Sequence, residues 1–98
     1  MYEIEFSPDA LEDLEHFRKF EQQIILDGIH SNLRYEPIVE SRNRKRLEPN
    51  DIADWELRIG RYRVLYDVHE AILVVSIETV GVKVRNQLFV RGKKTDLS

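Results

Sequence analysis

Hydrophobic and polar residues alternate in two neighbouring segments near the middle of the chain, residues 55–59 and 62–68. Every second side chain in both segments is apolar or aromatic, which is typical of strands with one buried face. Gly60 and Arg61 separate the segments and fit a type II′ turn, which requires glycine at its first central position. The pattern therefore predicts a two-stranded hairpin that begins at Trp55.

This register pairs Ile59 with Tyr62 and places Arg58 directly opposite Arg63 on the outer face of the hairpin. Like charges that face each other across a ladder repel, at a cost of some tenths of a kcal/mol. We therefore expect this arginine pair to bind an anion such as phosphate. An alternative is a surface salt bridge between Arg63 and Glu78 of the following strand.

The rest of the chain predicts one strand and two helices before the hairpin, and one or two strands after it. Residues 2–6 alternate like a strand, and Ser7 and Pro8 supply an N-cap and a first helical residue. Apolar stripes predict helices over 8–19 and 21–33, and residues 37–54 are predicted to form a long connection.

After the hairpin, a turn at 70–71 is predicted to lead into a strand over 72–81 with Leu73, Val75 and Ile77 facing the core. Residues 82–89 form a short return strand or a loop, and 93–98 a polar tail.

This order of elements predicts a single α+β domain that spans residues 1–98. We expect a two-layer β-α-α-β-β-β(-β) fold in which an antiparallel sheet carries a helical hairpin on one face. The other face would then carry Arg58 and Arg63, together with Lys83 and Arg85 near the end of the sheet, and the basic connection would border it.

Composition excludes several kinds of chemistry. The 98 residues include no cysteine, which rules out disulfides, thiolate catalysis and cysteine-ligated zinc and fits a reducing cytoplasm. The histidines have no spacing that makes a metal pair or a catalytic triad, so we expect neither a metal nor a cofactor. Neither a signal peptide nor a transmembrane segment is recognisable, and we expect a cytoplasmic protein without a membrane partner.

Charge is divided unequally along the chain. The net charge of the whole sequence is −3, but residues 1–40 carry −7 and residues 41–98 carry +4. An acidic helical layer and a basic sheet face are what this division predicts. Such an asymmetry can direct a polyanion to one face of a small domain.

Four segments follow one another in an order and spacing typical of a known family: YEIEFSPDALEDL, RNRKRL, WELRIGRYRVLYDV and VSIETVGVKVRNQLFVRG. On these segments the chain resembles the RelE/ParE toxins of type II toxin–antitoxin systems over nearly its whole length. The resemblance implies a β-α-α-β-β-β fold and a cognate antitoxin as partner. It also implies one of two targets, mRNA cleaved in the ribosome or DNA gyrase.

The ribonuclease branch of this family matches the chain only in part. Arg63 corresponds to an arginine that contacts the scissile phosphate, Arg58 to a basic residue, and Lys83 or Arg85 to a C-terminal arginine. Glu56 stands where a well-studied branch has lysine. Phe89 stands where that branch has a tyrosine that stacks and aids the chemistry, so this role has no phenolic hydroxyl here.

We predict a toxin that inhibits translation as a metal-independent, ribosome-dependent mRNA endoribonuclease. The candidate catalytic residues are Arg58, Arg63, Lys83, Arg85 and, as a general base, Glu56. The alternative for Glu56 is a surface carboxylate that pairs with Arg58, two residues away on the same face. The candidate RNA-binding residues are Arg42, Arg44, Lys45, Arg46 and Arg61. The alternative, which Glu56 and Phe89 favour, is a ParE-like gyrase inhibitor or a degenerate toxin that binds only its antitoxin.

Overall fold

The computed structural model describes residues 1–97 and shows two helices packed against a mainly antiparallel sheet of seven strands. The elements in chain order are β1 (Glu3–Phe6), α1 (Pro8–Glu15), α2 (Lys19–Leu33), β2 (Arg44–Arg46), β3 (Trp55–Ile59), β4 (Tyr62–His69), β5 (Val74–Val84), β6 (Gln87–Val90) and β7 (Lys93–Thr95). The predicted α+β class and the helical hairpin on one face of the sheet are confirmed.

The strands β2 to β7 lie side by side in chain order, each antiparallel to the next. The first strand, β1, joins the sheet beside β5 and runs parallel to it. Because β5 has 11 residues, its first part (74–77) pairs with β1 and its last part (82–84) pairs with β6. The middle of β5 has no strand on that side.

Side chains of the α1 segment, from the N-cap and from the helix itself, fill this gap in the sheet. Tyr66 of β4 pairs with Ile77 and Leu65 with Thr79, so β5 contains an extra residue, Glu78, as in a β-bulge. The hydroxyl of Ser7 donates to the carbonyl oxygen of Glu78 at 3.0 Å. A carboxylate oxygen of Asp13 accepts a hydrogen bond from the Val80 N–H at 2.9 Å. These bonds satisfy backbone groups that no strand can reach.

The main hydrophobic core lies between the helices and the sheet. Within residues 1–97 it contains 13 buried residues, among them Ile25, Ile29, Leu57 and Tyr66, each of which is fully buried. A second, smaller cluster lies on the opposite face of the sheet, around Ala53, Leu65 and Leu88. Partly buried Leu97 packs against this second cluster. The face away from the helices is therefore partly covered by the chain itself.

Two segments form strands where the sequence pattern predicts a connection and a polar tail. Part of the basic connection is β2, which pairs with β3, and residues 93–95 form β7 instead of a tail. The tail's last residue, Ser98, lies outside the described residues. A three-residue strand is too short to show alternation. The turn before β6 has positive φ at Arg85 and Asn86, and that before β7 has it at Arg91 and Gly92.

The helices also divide the first part of the chain differently from the prediction. The first helix ends at Glu15 rather than 19, and the second begins at Lys19 rather than 21. The backbone N–H of Arg18 donates to the Glu21 carboxylate at 3.2 Å, which fixes the start of α2.

The predicted register between β4 and β5 is wrong. The prediction pairs Val68 with residue 73 and Arg63 with Glu78, whereas in the structure Val68 pairs with Val75 and Arg63 with Gly81. The connection is longer than two residues, because a 3₁₀ turn over Glu70–Ile72 is followed by a left-handed residue at 73. The resulting shift at Val68 is two residues, so Val75 and Ile77 still face the core. Leu73 is exposed.

Candidate functional site

The hairpin of β3 and β4 has the predicted register and brings Arg58 opposite Arg63. Gly60 takes a φ of 58°, and Arg61 has no positive φ, as a type II′ turn requires. The side chains of Trp55 and Leu57 belong to the core between sheet and helices. Because neighbouring side chains along a strand alternate between faces, Glu56 and Arg58 face away from the helices.

Glu56 is a buried carboxylate beside this arginine pair, with only 5% of its surface exposed. Its Oε1 lies 3.2 Å from Nε of Arg58, whose side chain is 40% exposed. The contact uses Nε alone and leaves the terminal nitrogens of Arg58 without a partner among residues 1–97. A buried carboxylate is costly unless it is paired, and Arg58 provides that pairing.

Arg63 is held in place by carbonyl groups of the turn. Its Nη1 donates to the carbonyl oxygens of Gly60 at 2.7 Å and of Tyr62 at 2.9 Å. Its Nε is buried and has no hydrogen-bond partner within the described chain. Burial lowers the pKa of Arg63 below its ordinary value; the charge of Glu56 opposes that shift, and the charge of Arg58 adds to it. The two arginines and Glu56 are thus electrostatically coupled.

A polar cavity of about 270 Å³, which we call the site cavity, lies on this face of the sheet. Its walls include Glu56 and Lys83 from the sheet, and Lys94, Asp96 and Leu97 from the end of the described chain. Lys94 lies in the segment that is predicted to be a polar tail, so it is not among the predicted site residues. The turn residues Arg91 and Gly92 just before β7, both with positive φ, are the signal that a further hairpin follows.

Lys45 of β2 lies opposite Glu56 and so faces the same side of the sheet. It is exposed, and of the predicted RNA-binding residues in β2 it alone lies on this face. The face therefore holds three basic strand residues around Glu56, on β2, β3 and β4, and a fourth, Lys83, on β5.

Three other candidate RNA-binding residues lie on the helical side, where each has its own contacts. Arg44 donates through Nε to the Val39 carbonyl at 2.8 Å and through Nη1 to the Asn32 carbonyl at 3.1 Å. The guanidinium of Arg46 lies 5.6 Å from the centre of the Trp55 ring. The structure does not bring these two residues to the arginine pair.

Arg61 is the third of these residues. Its Nη2 lies 3.1 Å from the Glu21 carboxylate, which also accepts a hydrogen bond from the Tyr62 hydroxyl at 2.7 Å. The Tyr62 hydroxyl, followed by the Arg18 N–H and Arg61, lowers the pKa of Glu21 below its ordinary value. Arg61 therefore contributes to an ion pair between the hairpin turn and α2.

The remaining candidates are exposed or face elsewhere. Arg42 is exposed in the loop before β2, and Arg85 is exposed in the turn between β5 and β6 with a φ of 50°. Phe89, which stands where the resemblance implies a tyrosine, lines a separate apolar cavity with Phe17 and Val82. Val82 pairs with Tyr62, whose side chain is in the main core, so this cavity lies on the helical side.

Within residues 1–97 there is no group of three or more His, Asp or Glu side chains arranged to hold a metal ion. No helix in that part of the chain has the length and apolar character needed to cross a membrane.

Two solved structures have the same fold. One is the RelBE2 toxin–antitoxin complex from Mycobacterium tuberculosis, with a TM-score of 0.72 and 24% identity over 84% of this chain and 98% of that chain. The other is the archaeal RelE–RelB complex from Pyrococcus horikoshii OT3, with a TM-score of 0.67 and 24% identity over 86% of this chain and 97% of that one. Comparison with curated proteins gives no match.

The sequence also matches a family profile described as the ParE toxin of the type II toxin–antitoxin system parDE. The match covers residues 4–83, from β1 into the last residues of β5, and so includes the arginine pair and Lys83. This is most of the chain. The protein therefore belongs to the ParE toxin family of type II toxin–antitoxin systems.

Proposed function

We propose that this toxin inhibits translation in the cytoplasm by cleaving mRNA bound in the ribosome, without a metal or another cofactor. The observation that carries the proposal is the Arg58–Arg63 pair on an accessible, basic face of the sheet. Two guanidinium groups held across a ladder repel each other. An anion bound between them would offset this repulsion. A backbone phosphate of RNA is the ligand that suits this geometry.

RNA cleavage without a metal requires three tasks: a base that removes the 2′-hydroxyl proton, charge stabilisation at phosphorus, and a proton for the 5′-oxygen that leaves. The fixed fork of arginine suits the second task, and we assign it to Arg58 and Arg63, with Lys83 beside them. Glu56 is the candidate base, because it is a carboxylate on the same face and next to the pair. Lys45 at the rim would bind flanking phosphates without reading sequence.

We also propose a cognate antitoxin as the partner that silences the toxin. The two solved structures described above are toxin–antitoxin complexes, and this supports the proposal.

Arg63→Gln tests the function. We expect induced expression of the native protein in a bacterium to arrest growth and to leave cleaved transcripts. Loss of one preorganised charge at the phosphate should lower the cleavage rate by about 100-fold. The matched control is Arg61→Gln, which removes an arginine of the same turn whose partner, Glu21, lies on the helical side. This control should remain toxic.

DNA gyrase is the second candidate target, because the matching family profile is that of ParE toxins and because Phe89 lacks a hydroxyl. Intact transcripts together with an induced DNA-damage response would overturn the ribonuclease proposal in favour of gyrase. Normal growth with folded protein would indicate a toxin that only binds its antitoxin.

A further inference from the structure

Besides its proposed part as a base, Glu56 is a negative charge within a site for phosphate. A phosphate site gains from every positive charge and loses from each carboxylate in its wall, yet this face of the sheet carries a carboxylate in its centre. Glu56 is 5% exposed and contacts Arg58, while its charge also acts on Arg63. The same carboxylate lines the site cavity with Lys83 and lies opposite Lys45.

We propose that Glu56 is an internal competitor for the phosphate site. Its carboxylate is a planar anion, and it occupies Nε of Arg58, one of the donors that a phosphate would use. It also cancels one of the positive charges that would attract the ligand. The inference rests on the proposed function, since it concerns the affinity of the same site for RNA phosphates.

The geometry shows why this competition is partial. The Glu56 contact is a single one at 3.2 Å, and the terminal nitrogens of Arg58 have no partner within residues 1–97. A phosphate can therefore approach Arg58 from the exposed side while Glu56 is still bound. To take the whole guanidinium, it must displace the carboxylate. Glu56 thus lowers affinity without blocking access.

Glu56→Gln tests this inference, because glutamine keeps the shape of the side chain and removes its charge. The probe is a fluorescein-labelled single-stranded RNA of about ten uridines, and the measurement is fluorescence anisotropy at several salt concentrations. We expect the variant to bind about fivefold more tightly than the native protein, which is the effect of one competing ion pair. Its salt dependence should be steeper by about 0.7 in the slope of log K against log salt.

Two further variants separate competition from a structural effect. Glu15→Gln makes the same change in net charge at an exposed position on α1 and should leave binding unchanged. In a protein that already carries Arg58→Gln, the gain from Glu56→Gln should fall to less than about twofold, because the contested donor is gone. Circular dichroism melting checks that each variant is folded.

The outcomes distinguish this inference from the function on which it rests. If Arg63→Gln binds the RNA as tightly as the native protein does, the phosphate site itself is wrong. If Arg63→Gln weakens binding but Glu56→Gln does not strengthen it, the site stands and the competition is refuted. Absence of binding by both the native protein and Glu56→Gln at low salt would also count against the competition.

Discussion

At the scale of single residues, Asp13 shows how one buried carboxylate stabilises a break in a sheet. It is 1% exposed, accepts the Val80 N–H and lies 2.8 Å from Nε of Arg91 in the turn before β7. Burial raises the pKa of this carboxyl even though the Val80 N–H and Arg91 oppose the shift. Burying the charge of Asp13 is thus unfavourable, and Asp13 stabilises the fold mainly through its hydrogen bond to the otherwise unpaired Val80 N–H.

Asp13→Ala should lower the free energy of unfolding by about 2 kcal/mol, because it leaves the buried Val80 N–H without an acceptor. Asp13→Asn keeps an oxygen acceptor and removes the charge, so it should cost less than about 1 kcal/mol. Glu12→Ala serves as a surface control, since Glu12 pairs with Arg91 but is largely exposed. Urea unfolding at neutral pH measures all three; equal losses for the alanine and asparagine variants at position 13 would contradict the explanation.

The arginine pair could be predicted from the sequence because it depends only on local alternation and a two-residue turn. The partner of Arg63 on β5 could not be predicted, because that pairing depends on the length of the turn between β4 and β5 and on the bulge in β5. The side of the sheet on which Arg44 and Arg46 lie could not be predicted either, since a strand of three charged residues shows no hydrophobic pattern. Once β2 is known to pair with β3, alternation assigns Lys45 to the site face and its neighbours to the helical side.

At the scale of elements, β5 is the strand on which the site depends. It pairs with four other elements of structure in turn: β4 along one side, and β1, the side chains of α1 and β6 along the other. Gly81 lies where β5 pairs with Arg63 of β4 and passes close to β6. A Cβ atom at this position would lie 2.5 Å from the carbonyl oxygen of Phe89. Glycine is therefore required for the close approach of β6.

Gly81→Ala should destabilise the protein by about 2 kcal/mol, because the backbone of β6 has to move away from β5. Amides of β6 and β7 should exchange with deuterium faster than those of β3 and β4. Gly92→Ala is a comparison at an open position, where only the positive φ of 77° is strained, and it should cost about 1 kcal/mol. Native-like exchange of β6 in Gly81→Ala would show that the two strands tolerate a methyl group between them.

At the scale of the whole molecule, the negative charge is concentrated in the helical layer and the positive charge in the sheet. The net charge is −3, and the first 40 residues, which form β1 and both helices, carry −7. The proposed RNA contacts come from β2 to β5, on the face away from those helices. A polyanion would thus be repelled by the molecule as a whole and attracted by one face of it.

RNA binding should therefore weaken steeply with salt in spite of the negative net charge. If Lys45, Arg58, Arg63 and Lys83 each neutralise one phosphate, raising salt from about 50 to about 200 mM should lower the affinity for single-stranded RNA about 50-fold. Arg63→Gln should lessen the slope of log K against log salt by about 0.7. Affinity that is independent of salt would exclude a phosphate-directed mode of binding.

The pairing of β1 with β5 also bears on how fast the molecule folds. The partners Glu3 and Val74 are distant in sequence, whereas the hairpins of β3 with β4 and of β6 with β7 close over short loops. Contacts that close a long loop form late in folding, because the chain loses conformational entropy on closure before the new contacts compensate for it. The arginine pair can thus assemble early, as a local hairpin, while the first strand of the chain joins the sheet near the end of folding. Changes in β1 would then act on the rate of unfolding rather than on the formation of the site.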